Sequence, residues 1–201
     1  MPGRLSRAGL LRRGVAGGGA LLLSGSAVSA FAGAAGAATV PDGDLTYLRL
    51  LVGVELLAAD FQAQALASGK LTSARAAATK QMLADEKAHY RSLSTLITGA
   101  GQVPATSDDI NFTYPKRSFD SEAAMLKLAT SLETLTLGAY LGAVENIQTA
   151  QLRLPIGQIA ANEAQHVSAL ADAAGKPIIG RPFAASLQID AVSAALDAYE
   201  S

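Results

Sequence analysis

The sequence predicts an all-α protein: a four-helix bundle with a long crossover between its second and third helices, plus a short C-terminal helix. Three observations carry that prediction. Half of the 201 residues are hydrophobic, chiefly Ala and Leu, with 5% aromatics and no Trp, a composition that suits closely packed helices better than sheet. Four stretches place apolar residues at alternating four- and three-residue spacing, the rhythm of a bundle seam. The chain's 2 histidines each follow a glutamate by three residues, in Glu86-Lys87-Ala88-His89 and Glu163-Ala164-Gln165-His166. Residues three apart share one face of a helix.

The first helix is expected over residues 44–68, with Leu48, Val52, Glu55, Ala59, Gln62 and Leu66 on its seam. Gly69 and Lys70 mark the break, and Thr72 or Ser73 can cap the second helix. That helix runs to about Thr98 with the seam Met82, Glu86, His89, Leu93 and Leu96, and stops at Gly99 and Gly101. Residues 99–119 read as a connection, because Pro104, Asp108, Asp109, Pro115 and the β-like run Ile110-Asn111-Phe112 oppose helix. About twenty extended residues reach at most ~60 Å, enough to recross a bundle ~35 Å long, so the second and third helices can run parallel.

The third helix starts near Asp120 or Ser121 and turns Leu126, Thr130, Glu133, Leu137, Tyr140 and Val144 inward. The fourth carries Ile156, Ile159, Glu163, His166, Leu170 and Ala173 and ends at Gly175 and Pro177. Pro155 lies in its first turn or kinks it. A short helix over 188–199 is expected to pack outside the bundle, which spans 39–175 with 176–201 as a C-terminal extension.

Residues 1–38 have a basic start with Arg4, Arg7, Arg12 and Arg13, a small-residue apolar centre at Leu21-Leu22-Leu23, and Ala-x-Ala-like sites near Ala30 and Ala38. This is the layout of an export signal, removed on the far side of the membrane. Arg12-Arg13 resembles the twin-arginine variety, although Leu11 stands where Ser or Thr is usual; a Sec signal is the other reading. The apolar run is short and broken by glycine compared with the ~20 residues a span needs, so no stable membrane span is expected after cleavage. The expected location is extracytoplasmic: periplasmic or secreted.

Without those four arginines the chain holds 12 basic and 17 acidic residues. That balance argues against a nucleic-acid partner, because phosphate binding needs a basic face. Cysteine is absent, so any metal must be held by N and O ligands.

The six candidates Glu55, Glu86, His89, Glu133, Glu163 and His166 all occupy seam positions that elsewhere carry Leu, Ile, Met or Ala. Both Glu-x-x-His pairs arising by chance is roughly a one-in-a-thousand event. Glu55 precedes Glu86 by 31 residues and Glu133 precedes Glu163 by 30, with midpoints at the expected turns near Leu71 and Gln148–Thr149. Each lone glutamate is therefore level with its partner helix's pair. A buried carboxylate without a partner is costly. Two divalent cations remove the conflict, since four carboxylates balance four positive charges and two imidazoles complete the shells.

Glu55 and Glu133 are expected as ligands, Glu86 and Glu163 as bridging or bidentate ligands, and His89 and His166 as one ligand to each metal. Glu145 is the rival to Glu133; it lies about 120° further around the helix beside Gly138, Leu141 and Gln148, and is expected in solvent or behind the ligands. Tyr140, two turns after Glu133, can line the site as a redox or hydrogen-bonding group, and is expected in the core. Asp60 and Asp85 can orient a histidine but are expected at the surface.

The segments Val54-Glu55-Leu56-Leu57-Ala58-Ala59-Asp60-Phe61, Asp85-Glu86-Lys87-Ala88-His89-Tyr90, Leu132-Glu133 with Gly138-Ala139-Tyr140, and Asn162-Glu163-Ala164-Gln165-His166 resemble the ferritin-like superfamily. In particular they resemble exported bacterial ferritin-like domain proteins, over about residues 44–175. The resemblance implies a centre of two divalent ions, Fe or Mn, reacting with O2, peroxide or Fe(II). Gln62 departs from the tyrosine that ferritins and bacterioferritins often carry two turns after the first-helix glutamate, which argues against a ferritin-type ferroxidase role. No haem ligand or iron-storage surface is recognisable.

Two functions from different classes follow. One is a redox metalloprotein, an oxidoreductase. The other is a non-catalytic, structural or stress-related binding module with structural metal or none, for which the loop Phe112-Thr113-Tyr114-Pro115-Lys116-Arg117 and the tail helix would be contact surfaces. A hydrolase has weak support, since neither G-x-S-x-G nor H-E-x-x-H is present. A monomer or homodimer is expected.

Overall fold

The computed structural model describes residues 40–200. The segment read as an export signal lies outside the described residues. Among the described residues there are five helices: α1 Asp42–Ala67, α2 Ser73–Gly99, α3 Glu122–Asn146, α4 Ala150–Ala173 and α5 Ile189–Asp197. Among the described residues the only strand-like pairing is a bridge between Phe112 and Glu200. The helix ends follow from local chemistry. Gly69, Gly101 and Gly175 follow α1, α2 and α4 in the left-handed region, with φ of 65°, 72° and 65°, where a side chain would be strained. After α2 and α4 the backbone closes back as Gln102 N–H to Ile97 O at 3.0 Å and Lys176 N–H to Ala171 O at 2.8 Å. Ser121 caps α3 by accepting from Ala124 N–H. Thr72 stands at the N-cap of α2 without a side-chain bond; its own N–H donates to Glu122 Oε2 at 2.6 Å, which ties the start of α2 to the start of α3. Pro155 lies inside α4, in its second turn rather than its first.

α1 packs against α2 and α3, α3 also packs against α4, and α2 meets α4. The ends of α1 and α4 lie beside the starts of α2 and α3. Neighbouring helices are therefore antiparallel and the diagonal pairs parallel, as a single crossover between α2 and α3 requires. The crossover runs over the bundle on its own aromatic residues. Tyr114 contacts Phe61, Phe119 and Tyr199 with ring centroids 5.3–5.9 Å apart, and its hydroxyl donates to Asp60 Oδ2 at 2.8 Å.

The inward faces are largely as the spacing indicates, but Ala59 and Leu66 of α1, Leu96 of α2 and Ala173 of α4 are only half-buried, and α3 is rotated. Leu126, Thr130 and Val144 of α3 are half-buried, while Met125, Ala129, Leu132 and Thr136 are fully buried. α3 is covered on a second side by α5 and the segment before it, so it has a wider buried arc than one seam. α1 is long and apolar enough to cross a membrane, and here its apolar surface is covered by α2, α3 and α5.

Candidate metal centre

Each predicted site residue is buried at mid-helix: Glu55 on α1, Glu86 and His89 on α2, Glu133 on α3, Glu163 and His166 on α4. All four glutamates have 0% exposure, and the two histidines 8% and 5%. The fold brings all six together. His89 Nδ1 lies 2.8 Å from Glu163 Oε1, 3.5 Å from Glu55 Oε2 and 3.6 Å from Glu86 Oε2. His166 Nδ1 lies 3.3 Å from Glu86 Oε1, 3.4 Å from Glu133 Oε2 and 3.4 Å from Glu163 Oε2. Glu86 and Glu163 thus turn one oxygen toward each histidine. The rival Glu145 is exposed near the end of α3.

This yields two overlapping donor sets, Glu55, Glu86, His89 and Glu163 in one and Glu86, Glu133, Glu163 and His166 in the other, each with its ligand atoms within 4.8 Å of one another. Either set can hold a metal ion, and the shared carboxylates lie between them.

A second layer repeats the pseudo-twofold relation of the two hairpins. Gln62 stands seven residues after Glu55, and Tyr140 seven after Glu133. Each reaches across to the other hairpin's lone glutamate: Gln62 Nε2 donates to Glu133 Oε1 at 3.0 Å, and Tyr140 Oη donates to Glu55 Oε1. Tyr140 is thus a core residue that also touches the site. Gln62, which departs from the family pattern, is a direct partner of Glu133. Asp85 corrects an expectation: its Oδ2 lies 3.3 Å from His166 Nε2 and holds that ring, whereas it was expected at the surface. The residue equivalent to Asp85 in the other hairpin is Asn162, so this support is one-sided.

The electrostatics show what the cluster lacks. Burial pushes Glu55 well above the usual carboxylate range, and nearby Glu86 and Glu163 add to this against a bond from His89. Burial likewise raises Glu133 to about 8, with the charges of Glu86 and Glu163 adding and a bond from His166 opposing. Glu86 is lowered to about 2, because bonds from His166 and His89 outweigh its own burial. His89 rises to about 12, as bonds to Glu163, Glu55 and Glu86 overcome desolvation, and His166 rises in the same way through Glu133, Glu163 and Glu86. With no metal, protons do the charge compensation.

They do it poorly. Glu55 Oε2, both oxygens of Glu86 and of Glu163, Glu133 Oε2 and both inward Nδ1 atoms meet only one another, at 2.8–3.6 Å and without the alignment of a good hydrogen bond. Buried polar groups are rarely left so. These orphaned atoms form a ring of N and O donors, the set that suits iron, manganese or zinc, so the residues present fit a pair of divalent ions.

The sequence matches the profile of a family described as a ferritin-like domain over residues 43–176, two thirds of the chain. Among curated proteins none matches it.

Proposed function

Since this chain belongs to the ferritin-like domain family, we propose that it is a dimetal carboxylate protein that holds two ions, iron or manganese, and acts outside the cytoplasm on O2, peroxide or Fe(II). The observation that carries the reading is the ring of buried, unsatisfied carboxylate and imidazole atoms divided into two donor sets. Extracytoplasmic action rests on the basic, small-residue N-terminus alone.

In this reading Glu55 and His89 would hold one ion and Glu133 and His166 the other, with Glu86 and Glu163 within reach of both. A pair of such ions supplies two-electron chemistry toward an oxygen-containing substrate. The protein's own groups do the rest. Asp85 accepts from His166 Nε2–H, so that the neutral ring would present its Nδ1 lone pair inward to an ion. Tyr140 and Gln62 each occupy one oxygen of Glu55 and Glu133, so each lone glutamate offers its other oxygen to an ion. The Leu, Ile and Met residues above and below exclude water. To hold ions, the imidazoles and the raised carboxyls would have to be deprotonated.

The test is metal analysis of the purified protein beside a Glu163→Ala/His166→Ala control. About two Fe or Mn per chain are expected, lost in the control; less than ~0.2 per chain after reconstitution with Fe(II) and Mn(II) would sink the reading.

A further inference from the structure

A pocket of about 40 Å³ opens at the end of the bundle where α1 and α4 finish and α2 and α3 begin. Its walls come from all four helices. Ala65, Ala78, Ala129, Ala169 and Ala173 line it and each stops at Cβ, which leaves the space open. Its inner end reaches Gln62 and Met82, and Gln62 Nε2 sits 3.0 Å from Glu133 Oε1 and 3.9 Å from Met82 Sδ. The lining residues Met82, Ala129 and Leu170 each lie four residues from Glu86, Glu133 and His166 respectively. Four residues is one turn, about 6 Å along each helix. The pocket therefore ends one turn from the donor ring, with the Gln62 amide between them.

We propose that this pocket takes up a small, uncharged, apolar molecule of the size of dioxygen and passes it to the donor ring, and that metal cations reach the ring by another way. Size and lining set the class. The volume admits a molecule of a few atoms, and a mostly apolar cavity holds water poorly. No carboxylate lines it, and its one charged residue, Arg75, is a cation whose Nη2 donates to Ala173 O at 3.3 Å. A cation here would meet a like charge and no ligand to replace its water. The destination rests on the dimetal reading; occupancy of the pocket does not. Of the three substrates in that reading, the pocket selects O2 over Fe(II).

Two probes of the metal-free protein test uptake: a crystal held under xenon, and methyl NMR under dioxygen pressure, in which the paramagnetic gas broadens the groups it touches. Xenon in the pocket and broadening of the Ala78, Ala129 and Met82 methyls are expected, both lost in Ala129→Leu or Ala78→Leu. Mn(II) uptake by the full chain is expected unchanged in whichever of the two variants keeps its fold by circular dichroism. Absence of xenon and of broadening in the wild type overturns the proposal. So does Mn(II) uptake slowed by a folded, pocket-filling variant. A wild type that takes xenon but never Mn(II) sinks the dimetal reading and with it the delivery step.

Discussion

At the centre, each glutamate is unfavourable until something positive faces it, and the surrounding residues decide what that is. Without metal the positive charge is protonic, and the stability of the metal-free protein follows from it. Glu133 is pushed up to about 8 from 4.5, so its contribution is full below pH 4.5 and lost as pH rises through 8. His89, raised to about 12 from 6.5, contributes fully below 6.5 and loses that contribution on approach to 12. Glu86, lowered to about 2, contributes above 4.5 and loses that contribution as pH falls toward 2. The metal-free protein is therefore expected to melt at a higher temperature near about pH 5.5 than near about pH 8.5. Metal affinity should run the other way, because ligands must shed protons to bind. Melting curves with and without Mn(II) at the two pH values check both. Asp85 makes a narrower prediction. Asp85→Asn should weaken Mn(II) binding by about 10–100-fold, with the metal-free melting temperature little changed, as is usual when a ligand's outer partner is lost; competition titration reads it, and unaltered affinity would remove Asp85 as a positioning residue.

At the scale of elements, the helices hold the centre through a few contacts at their ends and backs. Asp44, buried at the start of α1, accepts from Gln148 N–H at 2.9 Å and Thr149 N–H at 2.8 Å, and so ties α1 to the turn between α3 and α4. Asp44→Ala should cost about 1–3 kcal/mol by leaving those donors unmatched, read by chemical denaturation. On the back of α3, the segment before α5 lies directly on the helix. Leu187 N–H donates to Gly138 O at 2.9 Å, and a Cβ at Gly142 would stand 1.9 Å from Leu187 O. Gly142→Ala should therefore lift this segment and cost about 1–3 kcal/mol, with faster proteolysis around residues 180–188 than in the wild type. Neither contact was legible in the sequence. A lone aspartate in a first helical turn reads as a partner for the helix dipole, and glycines in a helix read as weak points until the segment that needs their bareness is in place. The four helices themselves were legible, because their seams repeat over about four to five turns and glycine closes three of them.

For the whole molecule, two ions at the centre would join all four helices, so metal should act on global stability as well as on chemistry. Mn(II) at about 100 times its Kd should add roughly 2.7 kcal/mol, or about 5–10 °C in Tm for a chain of this size. Loss of that shift in Glu163→Ala/His166→Ala would tie it to the centre. A shift that survives the double substitution would place the bound metal elsewhere.

The sequence by itself determined the bundle, its single crossover and the six buried donors. Those depend on periodicity and on spacing from the turns, both of which are written along the chain. Only the tertiary structure decided which oxygens of Glu86 and Glu163 turn to which histidine, and that Asp85, Gln62 and Tyr140 stand behind the donors. These contacts join different helices, except that Glu86 and Glu163 also neighbour histidines on their own. They depend on helix rotations of a few tens of degrees, which packing sets and no local pattern records. The alanine-lined pocket has the same origin: an alanine leaves space only where its neighbours on three other helices also stop short.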